Sequence, residues 1–332
     1  MTKANAALDH STDSATRPNS TTRNVLRVLT GQPTSDGAGV KLTRVIGTQA
    51  LPDLDPFLML DEFRSDDPQA YLAGFPDHPH RGFETVTYML AGRMRHHDNK
   101  GNKGLLGPGS VHWMTAARGI VHSEMPEQQD GLMQGFQLWI NLPAAEKMSE
   151  PRYKDIPAGE VPVVTTLAGA KVKVVAGKFA GKTGPVAPAA TAPLFLDIEL
   201  PAGASFETTL PAEDNAFTFV FDGDAAIGES GETKTLQRGQ IGLLGTGSSF
   251  QAKAGDKGAR LLLLAGRPLK EPVAKYGPFV MNTTAELHQA VADFQAGNLA
   301  SLNFLKGQVM RLSRGTANPG VVGEILEVKL RV

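Results

Sequence analysis

One strand–turn–strand string occurs twice in the chain. Tyr88-Met89-Leu90-Ala91-Gly92 is followed by Pro108-Gly109-Ser110-Val111, and Phe219-Val220-Phe221-Asp222-Gly223 is followed by Arg238-Gly239-Gln240-Ile241. The copies are offset by 131 residues in the first string and 130 in the second. A repeat of short apolar runs closed by turn glycines predicts two small β-barrels built alike. From Val25 onward, apolar runs are broken by Gly, Pro and Asp at roughly the 8–12-residue spacing of a sandwich or barrel. With 36 Gly and 22 Pro in 332 residues, the composition favours a turn-rich β protein over a helical bundle. The second unit alternates cleanly: Leu194, Leu196, Ile198 and Leu200 share one face, with Asp197 and Glu199 on the other. Phe217, Phe219 and Phe221 repeat the pattern before the Asp222-Gly223 turn.

Outside the two units, residues 1–22 are rich in Ser, Thr, Asn and Asp and are expected to form a disordered tail. Ala176 to Pro193, mostly Ala, Gly, Pro and Thr, reads as a linker or long loop. Leu287, Ala290, Val291 and Phe294 have helical spacing, Thr283 and Glu286 form a capping box and Gly297 supplies a stop, so a packing helix is expected near the C-terminus. The expected organisation is a tail (1–22), a metal-binding barrel (23–150), a metal-free barrel (151–275), and a helix with an extension (276–332). Val321-Val322 and Ile325-Leu326 in that extension could add strand or dock on a barrel.

Composition narrows the chemistry. No cysteine is present, which excludes disulfides, thiolate catalysis and Cys-based metal sites. Lys and Arg number 33 against 34 Asp and Glu, so a net charge of −1 offers no basis for nucleic-acid or anionic-membrane binding. No apolar run approaches the roughly 20 residues of a membrane helix, and the N-terminus lacks a secretory h-region. A cytoplasmic location is expected.

Six of the eight histidines, His78, His80, His96, His97, His112 and His122, fall between residues 78 and 122. His78 and His80 are two apart, as are His122 and Glu124, and residues two apart on a strand face the same side. Two such pairs on neighbouring strands aim three imidazoles and a carboxylate at one point. That set suits a divalent first-row metal and leaves positions open for substrate. His112 competes with His122 on this reading, and Glu84 competes with Glu124. His96-His97-Asp98-Asn99 sits in a polar stretch and reads as a solvated loop.

The string His78-Pro79-His80-Arg81-Gly82-Phe83-Glu84-Thr85-Val86-Thr87-Tyr88 resembles the first signature of the pirin family of the cupin superfamily. So does Trp113-Met114-Thr115-Ala116-Ala117-Arg118-Gly119-Ile120-Val121-His122-Ser123-Glu124-Met125-Pro126. Asp55 to Phe63 resembles the family's opening strand, Gln137 to Pro143 its closing segment, and Gly277 to Thr283 the approach to its C-terminal helix. The resemblance implies an all-β bicupin, two stacked antiparallel β-barrels of jelly-roll type with a C-terminal helix. It implies metal ligation by His78, His80, His122 and Glu124, leaving Glu84 and His112 as neighbours. His112 departs from the family's pattern. Carried by the repeat offset, the ligand positions fall near Thr209, Pro211, Ala252 and Lys253, which are not ligands, so the second barrel is expected to be structural.

Some members of the family are quercetin 2,3-dioxygenases, and others are metal-bearing regulatory partners of transcription factors or metabolic enzymes. The resemblance therefore implies an oxidoreductase that opens a flavonol with O2 and loses CO. Fe(II) is the preferred ion, with Mn, Cu, Ni or Zn as alternatives. Glu124 would serve as both ligand and base. The partners implied are a small flavonol-like aromatic and O2, acting on a monomer, with a regulatory protein partner as the rival reading. Phe83, Trp113 and Met114 are the apolar residues expected near the mouth of the site.

Overall fold

The computed structural model describes residues 21–186, 190–297 and 322. The alternating and continuous apolar runs become strands. The first half carries β1 (Val25–Thr30), β2 (Gln32–Asp36), β3 (Val40–Ile46), β4 (Phe57–Ser65), β5 (Phe75–His80), β6 (Phe83–Ala91), β7 (Met94–Asp98), β8 (Lys103–Leu106), β9 (Val111–Thr115), β10 (Ile120–Pro126), β11 (Met133–Asn141) and β12 (Arg152–Ile156). Then follow β13 (Val163–Thr165), β14 (Lys171–Ala176), β15 (Lys178–Phe179), β16 (Lys182–Thr183), β17 (Leu194–Leu200), β18 (Ser205–Thr209), β19 (Asn215–Ile227), β20 (Lys234–Gln237), β21 (Gln240–Leu244), β22 (Ser249–Gly266), β23 (Ala274–Tyr276), β24 (Phe279–Met281) and the helix α1 (Thr284–Gly297). No helix among the described residues is long and apolar enough to cross a membrane.

The first unit has two sheets, ordered β12-β9-β6-β11-β4-β3-β2 and β5-β10-β7-β8. The second is built on a nine-stranded sheet, β1-β21-β19-β22-β17-β14-β13, with β18 on β22 and β20 on β19. Irregular register at Val220/Asp222 and Gly223/Ala225 bends β19 between layers. The repeat seen in the sequence is a repeat of register. Tyr88 pairs with Val111 in the first unit, and Phe219 pairs with Ile241 in the second. The Gly109 N–H donates to the Met89 carbonyl at 2.8 Å, and Gly239 donates to Val220 at 2.7 Å.

Sheet membership crosses the expected boundaries at 23 and 151. β1 pairs with β21 in the second unit, and β12 pairs with β9 in the first. The two units pack through an aromatic layer. Phe57 meets Phe217 edge-on at 5.2 Å between ring centroids, and Phe136 meets Phe221 at 5.1 Å. The buried Tyr88 hydroxyl donates to Asp197 Oδ2 at 2.6 Å across this layer. The second unit fills its own interior with apolar side chains, including Val172, Leu196, Phe206, Phe250, Ala252 and Leu263.

The stretch from Ala176 was expected as a linker. Instead β14 runs to Ala176 and the β15–β16 hairpin follows, with Phe179 against Phe206 at 5.5 Å. One buried aromatic ring ties down a segment otherwise too polar and small to fold by itself. Residues 187–189 lie outside the described residues. At the C-terminus the capping box forms: Glu286 N–H donates to Thr283 Oγ1 at 3.2 Å, and Thr283 N–H to Glu286 Oε2 at 2.8 Å. Leu287, Ala290 and Phe294 bury against Val121, Phe279 and Met281, so α1 packs on the end of β10. The expected tail lies outside the described residues apart from Thr21 and Thr22, which bond to Ser248 and Ser249. The expected extension lies outside them apart from Val322.

Candidate metal centre

The strands β5 and β10 pair antiparallel, with His122 opposite His78 and Ile120 opposite His80. Period-two geometry turns His78 and His80 to one side, and the pairing brings His122 to the same place. The three ring centroids are 4.5–5.0 Å apart. Each ring offers one nitrogen to a group whose members all lie within 4.8 Å of one another. His80 and His122 are buried and His78 is half-buried. His80 Nδ1 and both nitrogens of His122 are buried without a hydrogen-bond partner. Unpartnered polar atoms are costly in a dry interior, and a cation satisfies three inward-facing imidazoles at once. Burial, reinforced by the neighbouring imidazoles, pushes the pKa of His80 and of His122 well below the ordinary value. Both rings are therefore neutral at neutral pH, the form that ligates.

Glu124 follows on the same strand, but the register shifts between His122 and Glu124. The extra residue lies in β5, between Phe75 and His78, and Glu124 is not a member of the three-ring group. Thr87 Oγ1 donates to Glu124 Oε1 at 2.5 Å, and Gln137 Nε2 donates to Oε2 at 3.2 Å. Glu84 turns away to accept a bond from Thr115 Oγ1 at 2.6 Å, and burial raises its pKa. The structure thus gathers His78, His80 and His122 and holds Glu124 beside them, while Glu84 is engaged elsewhere.

A cavity of about 1380 Å³ opens over this site, with His78, His80, Thr87, Glu124 and Gln137 on its wall. Apolar lining comes from Leu42, Met59, Phe63, Phe75, Met94 and Trp139. Phe83, Trp113 and Met114, expected at the mouth, are instead core residues. Strand parity places a residue on a face but does not say whether that face meets the cavity or the core. Trp139 was missed, although its ring lies 5.3 Å from His80 and 4.3 Å from Phe83. At the far side of the cavity Arg44 forms a bidentate pair with Asp61, at 2.9 and 2.7 Å. Burial nevertheless pushes the Asp61 carboxyl up to about 6. The segment His96 to Asp98 is strand rather than solvated loop: His96 and Asp98 are buried and His97 faces out.

Comparison with known proteins fits this geometry. The pirin family profile matches residues 39–140, and that of the pirin C-terminal cupin domain matches 195–300. A pirin-like protein of Caulobacter vibrioides is 51% identical over 276 residues, which cover 83% of this chain and 98% of that one. The chain belongs to the pirin family. A Pseudomonas aeruginosa relative, provisionally named a quercetin 2,3-dioxygenase, is 49% identical over 282 residues, covering 84% of this chain and 98% of its own. Among solved structures, a quercetin 2,3-dioxygenase from Acinetobacter baumannii superposes with a TM-score of 0.77 at 31% identity, covering 83% of this chain and 98% of that one. The two-unit architecture of this pirin is that of a bicupin. A third profile, the GatB domain, matches residues 274–330 and overlaps the end of the pirin region.

Proposed function

We propose that this pirin is a metal-dependent dioxygenase of the quercetin 2,3-dioxygenase type, which cleaves a flavonol with O2 and releases CO. The observation that carries the reading is the group of three converging imidazoles, with buried unpartnered nitrogens on His80 and His122, beside a large, mainly apolar cavity. His78, His80 and His122, with Glu124 as fourth ligand, would hold a divalent ion, Fe(II) by preference. A bound ion of this kind supplies a Lewis acid for the flavonol 3-hydroxyl and an open position for O2.

The rest of the work falls to the chain. Glu124 accepts the proton of the 3-hydroxyl at a carboxylate oxygen. Thr87 and Gln137 bond to that carboxylate and set its orientation before substrate arrives. Trp139, Met59 and Phe63 offer apolar surface to flat aromatic rings and exclude water from the reacting face. The Arg44–Asp61 pair is one of the polar groups on the cavity wall available to substrate hydroxyls away from the metal.

The test is anaerobic loading with Fe(II), followed by O2 uptake and CO release on adding quercetin, with His80→Ala alongside. Metal-dependent O2 consumption coupled to CO, lost in the variant, is the expected result. Tight metal binding without turnover on any of several flavonols would overturn the enzymatic reading. It would favour instead a metal-bearing partner protein.

A further inference from the structure

A second group of ligand-type side chains lies in the first unit and shares no residue with the centre above. His112 on β9 stands opposite Asp155 on the edge strand β12. His96 reaches the same carboxylate from β7, in the other sheet of the unit. His112 Nδ1 is 2.7 Å from Asp155 Oδ1, and His96 Nε2 is 2.8 Å from Oδ2. The two rings lie 4.0 Å apart, and the three ligand atoms fall within 4.8 Å of one another.

We infer that His96, His112 and Asp155 form a second site for a divalent first-row transition metal, closing the edge between the two sheets of the first barrel. Two imidazole nitrogens and one carboxylate are a donor set that such ions accept readily. Both imidazoles are 2% exposed, whereas the Asp155 side chain is 34% exposed, so water can complete the shell from that side. In the hydrogen-bonded pair His112 Nδ1–H donates to Asp155, and Nε2 is buried without a partner. A cation that takes the Nδ1 lone pair displaces that proton, and Nε2 is the position left to receive it. Space has been cleared as well. A Cβ on Gly104, in β8, would stand 2.2 Å from Asp155 Oδ2 and 2.3 Å from His96 Nε2. Any other residue at 104 would push the carboxylate and the imidazole apart.

The location gives the ion a task. β8 ends the order of the four-stranded sheet, and β12 ends that of the seven-stranded sheet. An ion held by His96, His112 and Asp155 joins β7, the neighbour of the end strand β8, to β9 and the end strand β12, and so ties the two sheets together. Its effect is therefore on stability, and it persists when the first centre is removed.

The experiment uses the full chain, stripped of metal with chelator and titrated with Co(II), reading bound metal per chain and ligand-field absorbance. Two ions per chain are expected in the parent protein. One should remain in the His80→Ala/His122→Ala double variant, and one in His112→Gln. Asp155→Asn, which keeps the side chain's shape, should match His112→Gln. Co(II) should raise the melting temperature of the double variant, and adding Asp155→Asn should abolish that rise. A single ion that vanishes in the double variant would overturn the second site and leave the first standing, Asp155 then accepting two imidazole N–H bonds with no cation. Metal content unchanged by both His112→Gln and Asp155→Asn would overturn it equally. A parent protein that binds no metal would refute both centres.

Discussion

Gly82 lies two residues past the end of the ligand strand β5, and its substitution tests how that strand is anchored. The residue has φ +90°, and a Cβ there would stand 1.9 Å from the Val280 carbonyl oxygen and 3.0 Å from its carbon. Neither atom belongs to a flexible side chain. Gly82→Ala must therefore displace the β23–β24 hairpin. That motion stretches the Val280 N–H bond to the Arg81 carbonyl (3.0 Å) and the Lys147 Nζ bond to Val280 O (3.0 Å). The left-handed backbone costs an alanine about 1–2 kcal/mol. Two lost hydrogen bonds, one from a charged donor, add roughly 2–4 kcal/mol. The expected loss is about 3–6 kcal/mol in urea unfolding, with weaker metal binding because His80 lies two residues upstream. Gly101→Ala is the control: φ is +89° there, but nothing lies within 4 Å of the added Cβ. It should cost only the backbone share. Equal losses in the two variants would refute the argument that close approach to Val280 is what requires glycine at 82.

Two further predictions concern the site and its support. Thr87→Val keeps the side chain's shape but removes the hydroxyl at 2.5 Å from Glu124; metal content should hold while kcat on flavonol falls by roughly 10–100-fold, the equivalent of about 1.5–3 kcal/mol for a charge-assisted bond. An unchanged kcat would mean that Thr87 does not position the base. Lys147 is buried with Nζ bonded to the Gly82 and Val280 carbonyls and to Asn141 Oδ1, and desolvation lowers its pKa to about 8 from 10.5. Between those values the unfolded chain binds more protons than the folded one, so stability should rise with pH from about 8 towards 10.5, by at most about 3 kcal/mol. Lys147→Met should flatten that slope in urea titrations at successive pH, and parallel slopes would refute the assignment.

Much of the fold can be read along the chain because the repeat recurs with its pairing intact. Tyr88 opposite Val111 and Phe219 opposite Ile241 are one ladder written twice, and the glycines at 109 and 239 close it in both places. The pairing of His78 with His80 was legible for a similar reason, since strand parity is a local property, whereas parity left His122 and His112 in competition and only the family resemblance chose His122. What escaped was whatever depends on a partner brought from elsewhere. His96 looked solvated because apolarity is the usual sign of an inward face, and the buried face of β7 carries His96 and Asp98 beside Met94. Its partner Asp155 lies 59 residues away in sequence and on a strand of the other sheet. Trp139 reaches the cavity through the pairing of β11 with β4 and β6, which no local pattern announces. The extra residue of β5 between Phe75 and His78, which sets Glu124 opposite Phe75, is a register shift that spacing alone does not record.

The crossing of edge strands has a consequence for how the molecule can be made and divided. A chain cut near residue 150 leaves the first half without β12 and the second without β1, so neither fragment holds a complete sheet. The same order holds during synthesis. β1 emerges first, yet its neighbour β21 begins at Gln240, more than 200 residues later. Such non-local pairing is slow to close, and it leaves an early strand unpaired while the intervening chain is made. Swapping one half for that of a relative would therefore succeed only if each foreign half brought its own returning strand.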